Sequence, residues 1–233
     1  MKVMAETQIA DYMVARDFLN SLIPPLKKTD TVQKAMDWMN QFRVNQLAVV
    51  EEGEYLGMIT EEDLLDSTQL DATISQFPLK FKEVYVSEYQ HFYEIIKVAH
   101  AHHIQIIPVL DEFGKYKGVI SLNDTTSALA NTYALQDPGG ILVLSMQDYD
   151  YSMTEIARLI ESNNAKILSS YVAPDPLEPR KMKLTLKLNS ADLTRVIATL
   201  ERFDYDVVAS FHHAEPNYSN QERLDMLLKY LDM

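Results

Sequence analysis

Apolar positions in the first half of the chain follow two rhythms in succession, and the succession then recurs. Val32, Ala35, Met36 and Met39 fall at helical spacing, and the wholly apolar run Leu47-Ala48-Val49-Val50 follows as a buried strand. The same order returns with Phe92, Ile95, Ile96 and Ala99, then Ile107-Pro108-Val109-Leu110, 60 positions later (92 − 32). The turn after each run is Glu51-Glu52-Gly53 in the first copy and Asp111-Glu112-Phe113-Gly114 in the second. The extra residue sits in a Gly-containing loop, where an insertion is best tolerated. A self-similarity of this length defines the unit of the fold. Each unit is predicted to be a helix, a buried strand, a tight turn, a second strand and a second helix.

The second strand runs into a motif present in both copies: Gly57-Met58-Ile59-Thr60-Glu61-Glu62-Asp63 and Gly118-Val119-Ile120-Ser121-Leu122-Asn123-Asp124, 61 positions apart (118 − 57). Thr60 and Ser121 are good N-caps, and Glu61, Glu62 and Asp63 suit the positive end of a helix dipole. A hydroxyl residue with Asp three positions on admits two readings. It satisfies free backbone N–H groups as a plain cap, or the pair faces a small molecule together.

The repeated motif resembles that of the CBS domain, a family that works as tandem pairs, over roughly Leu22 to Ala130. The resemblance implies an adenosine-binding module in which Asp63 and Asp124 take ribose hydroxyls and Thr60 and Ser121 hold the sugar or first phosphate. It also places Ile23 and Pro24 where the family lays the adenine ring. Phosphate-binding members carry basic residues just before the Pro-Val of the buried strand. Here Asn45 and Gln46 stand at those places in the first repeat, and Gln105 and Ile106 in the second. Phosphate recognition calls for Arg, Lys or backbone N–H donors; Arg43, Lys27, Lys28, His102 and His103 are near in sequence. The expected ligand is AMP, ADP, ATP or S-adenosylmethionine, held by Thr60, Asp63, Ser121, Asp124, Ile23, Pro24, Asn45 and Gln105.

A second region begins after Asp137-Pro138-Gly139-Gly140. Ile141–Leu144 reads as a buried strand, Ser152–Ala165 as a helix with a Ser152/Glu155 capping box, and Lys166–Val172 as a strand. Met182–Leu188 alternates apolar with polar residues, as in a half-exposed antiparallel strand, and Ser190–Phe203 and Asp206–Phe211 complete a helix and a strand. The order βαββαβ is ferredoxin-like. Placed after a CBS pair it resembles an ACT domain, and the whole order resembles bacterial acetoin-utilisation regulatory proteins. ACT domains that bind amino acids place a glycine in the first strand–helix loop; here Gln147–Tyr151 has none. The fold class expected is thus α/β (α+β). Its parts are an N-terminal packing helix over 1–21, a CBS pair over 22–135 (repeats about 22–70 and 82–131), an ACT-like domain over 139–213 and a C-terminal helix over 214–233.

Composition narrows the function classes. The formal net charge is −13, from 21 basic and 34 acidic residues, which argues against binding nucleic acid or an anionic membrane. No apolar stretch of about 18 residues suggests a membrane span. Glu6, Asp11, Arg16 and Asp17 interrupt any signal-peptide core. The absence of cysteine fits a cytoplasmic protein and removes a thiolate metal site or nucleophile. His100 and His103 share a helix face but no carboxylate joins them, so no metal site is expected. Gly139-Gly140 precedes a strand and is no phosphate loop. No nucleophile–base pattern is recognisable, so a non-enzymatic regulator is expected, with no required cofactor, acting as a homodimer on an effector protein. The alternative is a ligand-free assembly module in which the motifs serve as caps.

Overall fold

The computed structural model describes residues 13–65 and 69–211. The chain divides between Ala130 and Asn131 into two compact units. In the first, repeat 1 holds α1 (Val32–Phe42), β1 (Gln46–Glu51), β2 (Glu54–Thr60) and α2 (Glu61–Leu65). Repeat 2 holds β3 (Val86–Ser87), α3 (Phe92–His102), β4 (Ile106–Leu110), β5 (Tyr116–Ser121) and α4 (Leu122–Ala130).

The repetition persists at the level of single residues. Thr31 caps α1 by accepting from the Lys34 N–H, and His91, 60 positions on, caps α3 by accepting from the Tyr93 N–H. Arg43 and His103 end these helices in the left-handed conformation, at φ +55° and +53°. Leu26 pairs in parallel with Val49 as Val86 does with Val109. Both hairpins carry a register shift, between Val49 and Val50 and between Val109 and Leu110. One core serves both repeats: Leu26, Leu47, Met58, Ile59 and Ile74 lie in the same buried cluster as Ile95, Ile106, Ile107 and Ile120.

The segment leading into each repeat is laid on the other one. Residues 13–20 precede repeat 1, yet the N–H groups of Ala15 and Arg16 donate to the carbonyls of Gln90 and Glu88, and Asn20 N–H donates to Val119 O at 2.8 Å. Residues 70–80 precede repeat 2, yet Val32 N–H donates to Ala72 O, and Met58 and Lys80 exchange two backbone bonds of 2.8 and 2.9 Å. These two straps explain the motif glycines. At Gly57 (φ +136°) a Cβ would stand 2.7 Å from Lys80 O, and at Gly118 (φ +154°) 3.0 Å from Leu19 Cδ2. At Gly57 the neighbour is backbone, so only a residue without a side chain lets the strap cross so closely, while at Gly118 the positive φ is what favours glycine. Within the expected helix over 1–21, Ala15–Phe18 is a 3-10 turn. Its Ala15 and Arg16 N–H groups are bonded to repeat 2, which a continuous helix does not allow; residues 1–12 lie outside the described residues.

The second unit holds α5 (Tyr133–Gln136), β6 (Ile141–Gln147), α6 (Met153–Glu161), β7 (Ile167–Pro174), β8 (Lys181–Leu188), α7 (Thr194–Arg202) and β9 (Asp206–Phe211). Four of its strands form an antiparallel sheet in the order β7-β8-β6-β9, the ferredoxin-like arrangement. Leu142, Leu144, Leu184, Leu186 and Leu188 turn one face to Ile156, Leu159 and Ile160 of α6 and Val196 and Leu200 of α7. Ser152 accepts from Glu155 N–H at 3.4 Å, opening α6 where the sequence predicts. A Cβ on Gly139 would fall on the Leu188 carbonyl, so this glycine serves the close approach to β8. The expected C-terminal helix and the His212-His213 doublet lie outside the described residues. The first unit thus carries the tandem repeat and the second a βαββαβ sheet.

Tyr55 and Tyr116 are related by the repeat, and burial pushes both phenols up. Tyr55 donates to Phe81 O at 2.8 Å, whereas the Tyr116 hydroxyl is the buried side-chain polar atom left without a partner among the described residues. An unmet buried hydroxyl costs stability and a met one contributes it. Tyr55→Phe is therefore expected to lower the unfolding free energy by about 1 kcal/mol, and Tyr116→Phe to leave it unchanged or raise it, read by urea denaturation. An equal loss in both variants contradicts this assignment.

Candidate functional site

Each repeat presents its hydroxyl–carboxylate pair at the end of its second strand, where the following helix begins. Asp63 Oδ2 accepts from Thr60 Oγ1 at 2.5 Å and Thr60 N–H at 3.1 Å, and Asp63 N–H donates back to Thr60 Oγ1. Asp124 Oδ2 accepts from Ser121 Oγ at 2.6 Å and Ser121 N–H at 3.1 Å, with Asp124 N–H returned to Ser121 Oγ. Both are reciprocal capping arrangements. A backbone bond secures each from the other side: Glu61 N–H donates to Asn45 O, and Leu122 N–H to Gln105 O. Asn45 and Gln105 side chains are exposed, and Gln105 N–H reaches the buried Gln46 Oε1 at 3.3 Å.

The straps supply a further partner to each carboxylate. Lys80 Nζ lies 2.6 Å from Asp63 Oδ1, and Asn20 Nδ2 donates to Asp124 Oδ2 at 2.9 Å. Asn20 and Lys80 are 60 positions apart (80 − 20), so the same latch is built twice with different chemistry, ionic on Asp63 and neutral on Asp124. Asn20 is held in turn by its Oδ1, which accepts from Leu22 N–H. Sequence reasoning missed both latches, although Val14/Ile74 and Leu19/Leu79 repeat with the same offset.

The residues expected to meet an adenine divide. Ile23 is 7% exposed and belongs to the core, while Pro24 is half-buried at the surface. A cleft of about 190 Å³ is lined by Arg43 and Val44 of repeat 1 and Gln105, Ser121, Leu122 and Asn123 of repeat 2. Of the neighbouring cations considered from the sequence, Arg43 thus comes into a cleft with a motif hydroxyl.

Burial raises the Asp63 pKa, but the Lys80 ammonium and the Thr60 hydroxyl and amide outweigh it, leaving the carboxyl below its usual range. Among the described residues no group of three or more His, Asp or Glu is placed to hold a metal ion, and no helix is long and apolar enough to cross a membrane. In the second unit, an open cleft of about 510 Å³ beside the glycine-free loop is lined by Gln147, Tyr149, Arg180 and Lys181 among others.

Because the folded-state pKa of Asp63 is depressed, the stability its carboxylate contributes is full above the unfolded-state value of about 3.9 and is lost as pH falls through the lowered folded value. Lys80→Met is expected to move the Asp63 titration upward, followed by carboxyl-detected NMR. An unmoved titration shows that the ion pair does not set it.

Residues 15–69 and 76–131 each match the family model described as the CBS domain. Inosine-5'-monophosphate dehydrogenase of Aquifex aeolicus is 26% identical over 145 residues, 60% of this chain and 30% of that enzyme. An uncharacterized protein of Methanocaldococcus jannaschii is 30% identical over 64 residues, 28% of this chain and 34% of its own. The chain thus spans about a third of the length of the curated relatives it matches. A crystal structure of a CBS domain pair/ACT domain protein from Thermotoga maritima superposes on 50% of this chain and 96% of its own, with 27% identity and a TM-score of 0.45.

Proposed function

We propose that the tandem CBS pair formed by residues 15–69 and 76–131 is a regulatory module that binds an adenosine-containing ligand through its hydroxyl–carboxylate pairs. The observation that carries this reading is the twofold occurrence of one polar constellation, Thr60–Asp63 and Ser121–Asp124, at the starts of α2 and α4, with Ser121 lining a cleft between the repeats. A carboxylate oriented by its own helix start accepts the two hydroxyls of a ribose without rearrangement of the backbone. Ser121 and Thr60 stand beside it for the sugar or its phosphate. Asn45 and Gln105 lie next in line through their backbone bonds to the helix starts. The ligand classes that fit are AMP, ADP, ATP and S-adenosylmethionine.

In this reading the βαββαβ unit is ACT-like and its open sheet face pairs with a second copy, making the protein a cytoplasmic homodimer of the acetoin-utilisation regulatory type that acts on an effector protein. We propose no catalytic role. Coupling requires that the ligand bind one arrangement of the repeats better than another.

A second reading, a ligand-free assembly module, is favoured by the fact that both carboxylates already have protein partners, Lys80 and Asn20. Calorimetric titration with the four ligands separates the two. Binding is expected for at least one, with Asp124→Ala weakening it by about 1.5–3 kcal/mol, the cost of losing a charged acceptor. Unchanged affinity in the Asp63→Ala, Asp124→Ala double variant overturns the ribose assignment, and absence of heat with all four leaves the assembly reading standing.

A further inference from the structure

The sheet of the second unit is covered by α6 and α7 on one face, and its other face is divided along the strands. Leu142 and Leu144 of β6 turn to the helices, so Ile141 and Val143 turn outward by alternation. Their direct partners on β9 are Phe211 and Ala209, and the four residues make an apolar patch in which Phe211 is 62% exposed. On the other side of β6, β8 turns Lys183, Thr185 and Lys187 outward. Lys183 already has Asp175 at 3.1 Å. Lys187 holds the Gly139 carbonyl at 3.0 Å and makes no ion pair among the described residues. The face is thus apolar over β6 and β9 and basic along β8.

β9 ends at Phe211, on the patch itself, and 22 residues follow it (233 − 211). Their sequence complements this face. Pro216 opposes continuation of the strand. Ser219 with Glu222 three positions on reads as a capping box, and Leu224, Leu227, Leu228 and Leu231 then fall on one side of a helix. At about 100° per residue, Asp225 and Asp232 share one flank of that stripe and Arg223 and Tyr230 the other. A helix over 220–233 is about 21 Å long, close to the roughly 23 Å of the seven-residue β6. Residues 212–219 reach up to about 26 Å, enough to turn back over the sheet.

Handedness then decides where the charges fall. β9 is antiparallel to β6, so a chain that turns back after Phe211 runs along β6 in the direction of β6. β6 and β7 are both antiparallel to β8, which makes β6–α6–β7 a crossover between parallel strands, right-handed by rule. Seen from the open face, looking along β6, β8 lies on the left and β9 on the right. A right-handed helix laid along β6 with its leucines down carries Asp225 and Asp232 on its left, over the lysines. Asp225 comes first, at the Lys187 end.

We propose that residues 220–233 of the same chain form a helix that lies along β6 on this face, with the leucine stripe over Ile141, Val143 and Phe211 and with Asp225 on Lys187. This docking is independent of the adenosine-binding reading. It changes what a second copy meets on this unit, a roofed face in place of bare sheet.

The full chain has no cysteine, so an introduced pair makes the single disulfide available to it. The chain carrying Val143→Cys and Leu228→Cys, checked for native circular dichroism, is expected to close an intrachain disulfide under mild oxidation, followed on non-reducing gels and located by peptide mass mapping. Closure is expected about tenfold faster than for Val143→Cys with Met226→Cys, whose second cysteine points away from the sheet and out of bonding range. Adding Asp225→Lys to the first pair should slow closure about threefold, and adding Lys187→Glu as well should restore it. A disulfide joining two chains gives the face to the tail of a second copy and overturns docking within one chain. No disulfide, or equal rates for the Leu228 and Met226 positions, overturns the docking altogether, and an unslowed Asp225→Lys protein overturns the placement on Lys187. None of these results bears on whether the first unit binds adenosine.

Discussion

The exchange of lead-in segments between the repeats is the constraint on which the rest of the first unit depends. Residues 13–20 bond to repeat 2 and residues 70–80 to repeat 1, so neither repeat completes its edge without chain that belongs, in sequence order, to the other. Backbone N–H and C=O groups of the strands have to be paired somewhere, and the straps are where several of them are paired. The close passage of the Lys80 backbone requires glycine at 57, and a positive φ favours it at 118. The end of each strap brings Lys80 to Asp63 and Asn20 to Asp124. Fold and candidate site are therefore products of the same crossing.

Two nearly equal backbones present two unequal carboxylates because side chains on the straps have diverged. Asp63 sits in an ion pair flanked by Glu61 and Glu62, whereas Asp124 meets an amide, and its partner Ser121 shares a cleft with Arg43. Opposite charges also meet where the repeats face each other: Glu54 and Lys115, related by the 61-residue offset (115 − 54), form a backbone bridge and an ion pair of 3.0 Å. Exposed as it is, that pair contributes little to stability. Its interest is that the two halves have become complementary instead of identical.

Much of this was legible in the sequence. The apolar spacing of Val32–Met39 and Phe92–Ala99 foretold α1 and α3, and the Gly-to-Asp motif foretold the strand ends and helix starts that hold Thr60, Asp63, Ser121 and Asp124. The alternation of Met182–Leu188 and the Ser152/Glu155 pair likewise marked β8 and α6. The straps were not legible. They are irregular segments without a period, their bonds run to residues from 22 (80 − 58) to 99 (119 − 20) positions away, and the latch residues Asn20 and Lys80 are an amide and an ammonium with no common sequence signal. Most of the expected N-terminal helix lies outside the described residues; over Ala15–Phe18 the chain makes a 3-10 turn, since the carbonyls of Gln90 and Glu88 claim the N–H groups of Ala15 and Arg16. Ile23 lies in the core because the chain turns inward ahead of Leu26, a position that spacing alone does not reveal.

Native-state hydrogen exchange on the full chain tests the interlocking of the repeats most directly. Leu47 is fully buried in repeat 1, and Leu47→Ala is worth about 2–5 kcal/mol of destabilisation. If the straps make the two repeats one cooperative unit, the hydrogen-bonded amides of Val50 in repeat 1 and of Tyr116 and Leu122 in repeat 2 lose protection by the same amount in that variant. Loss confined to Val50, with repeat 2 as protected as before, contradicts the account.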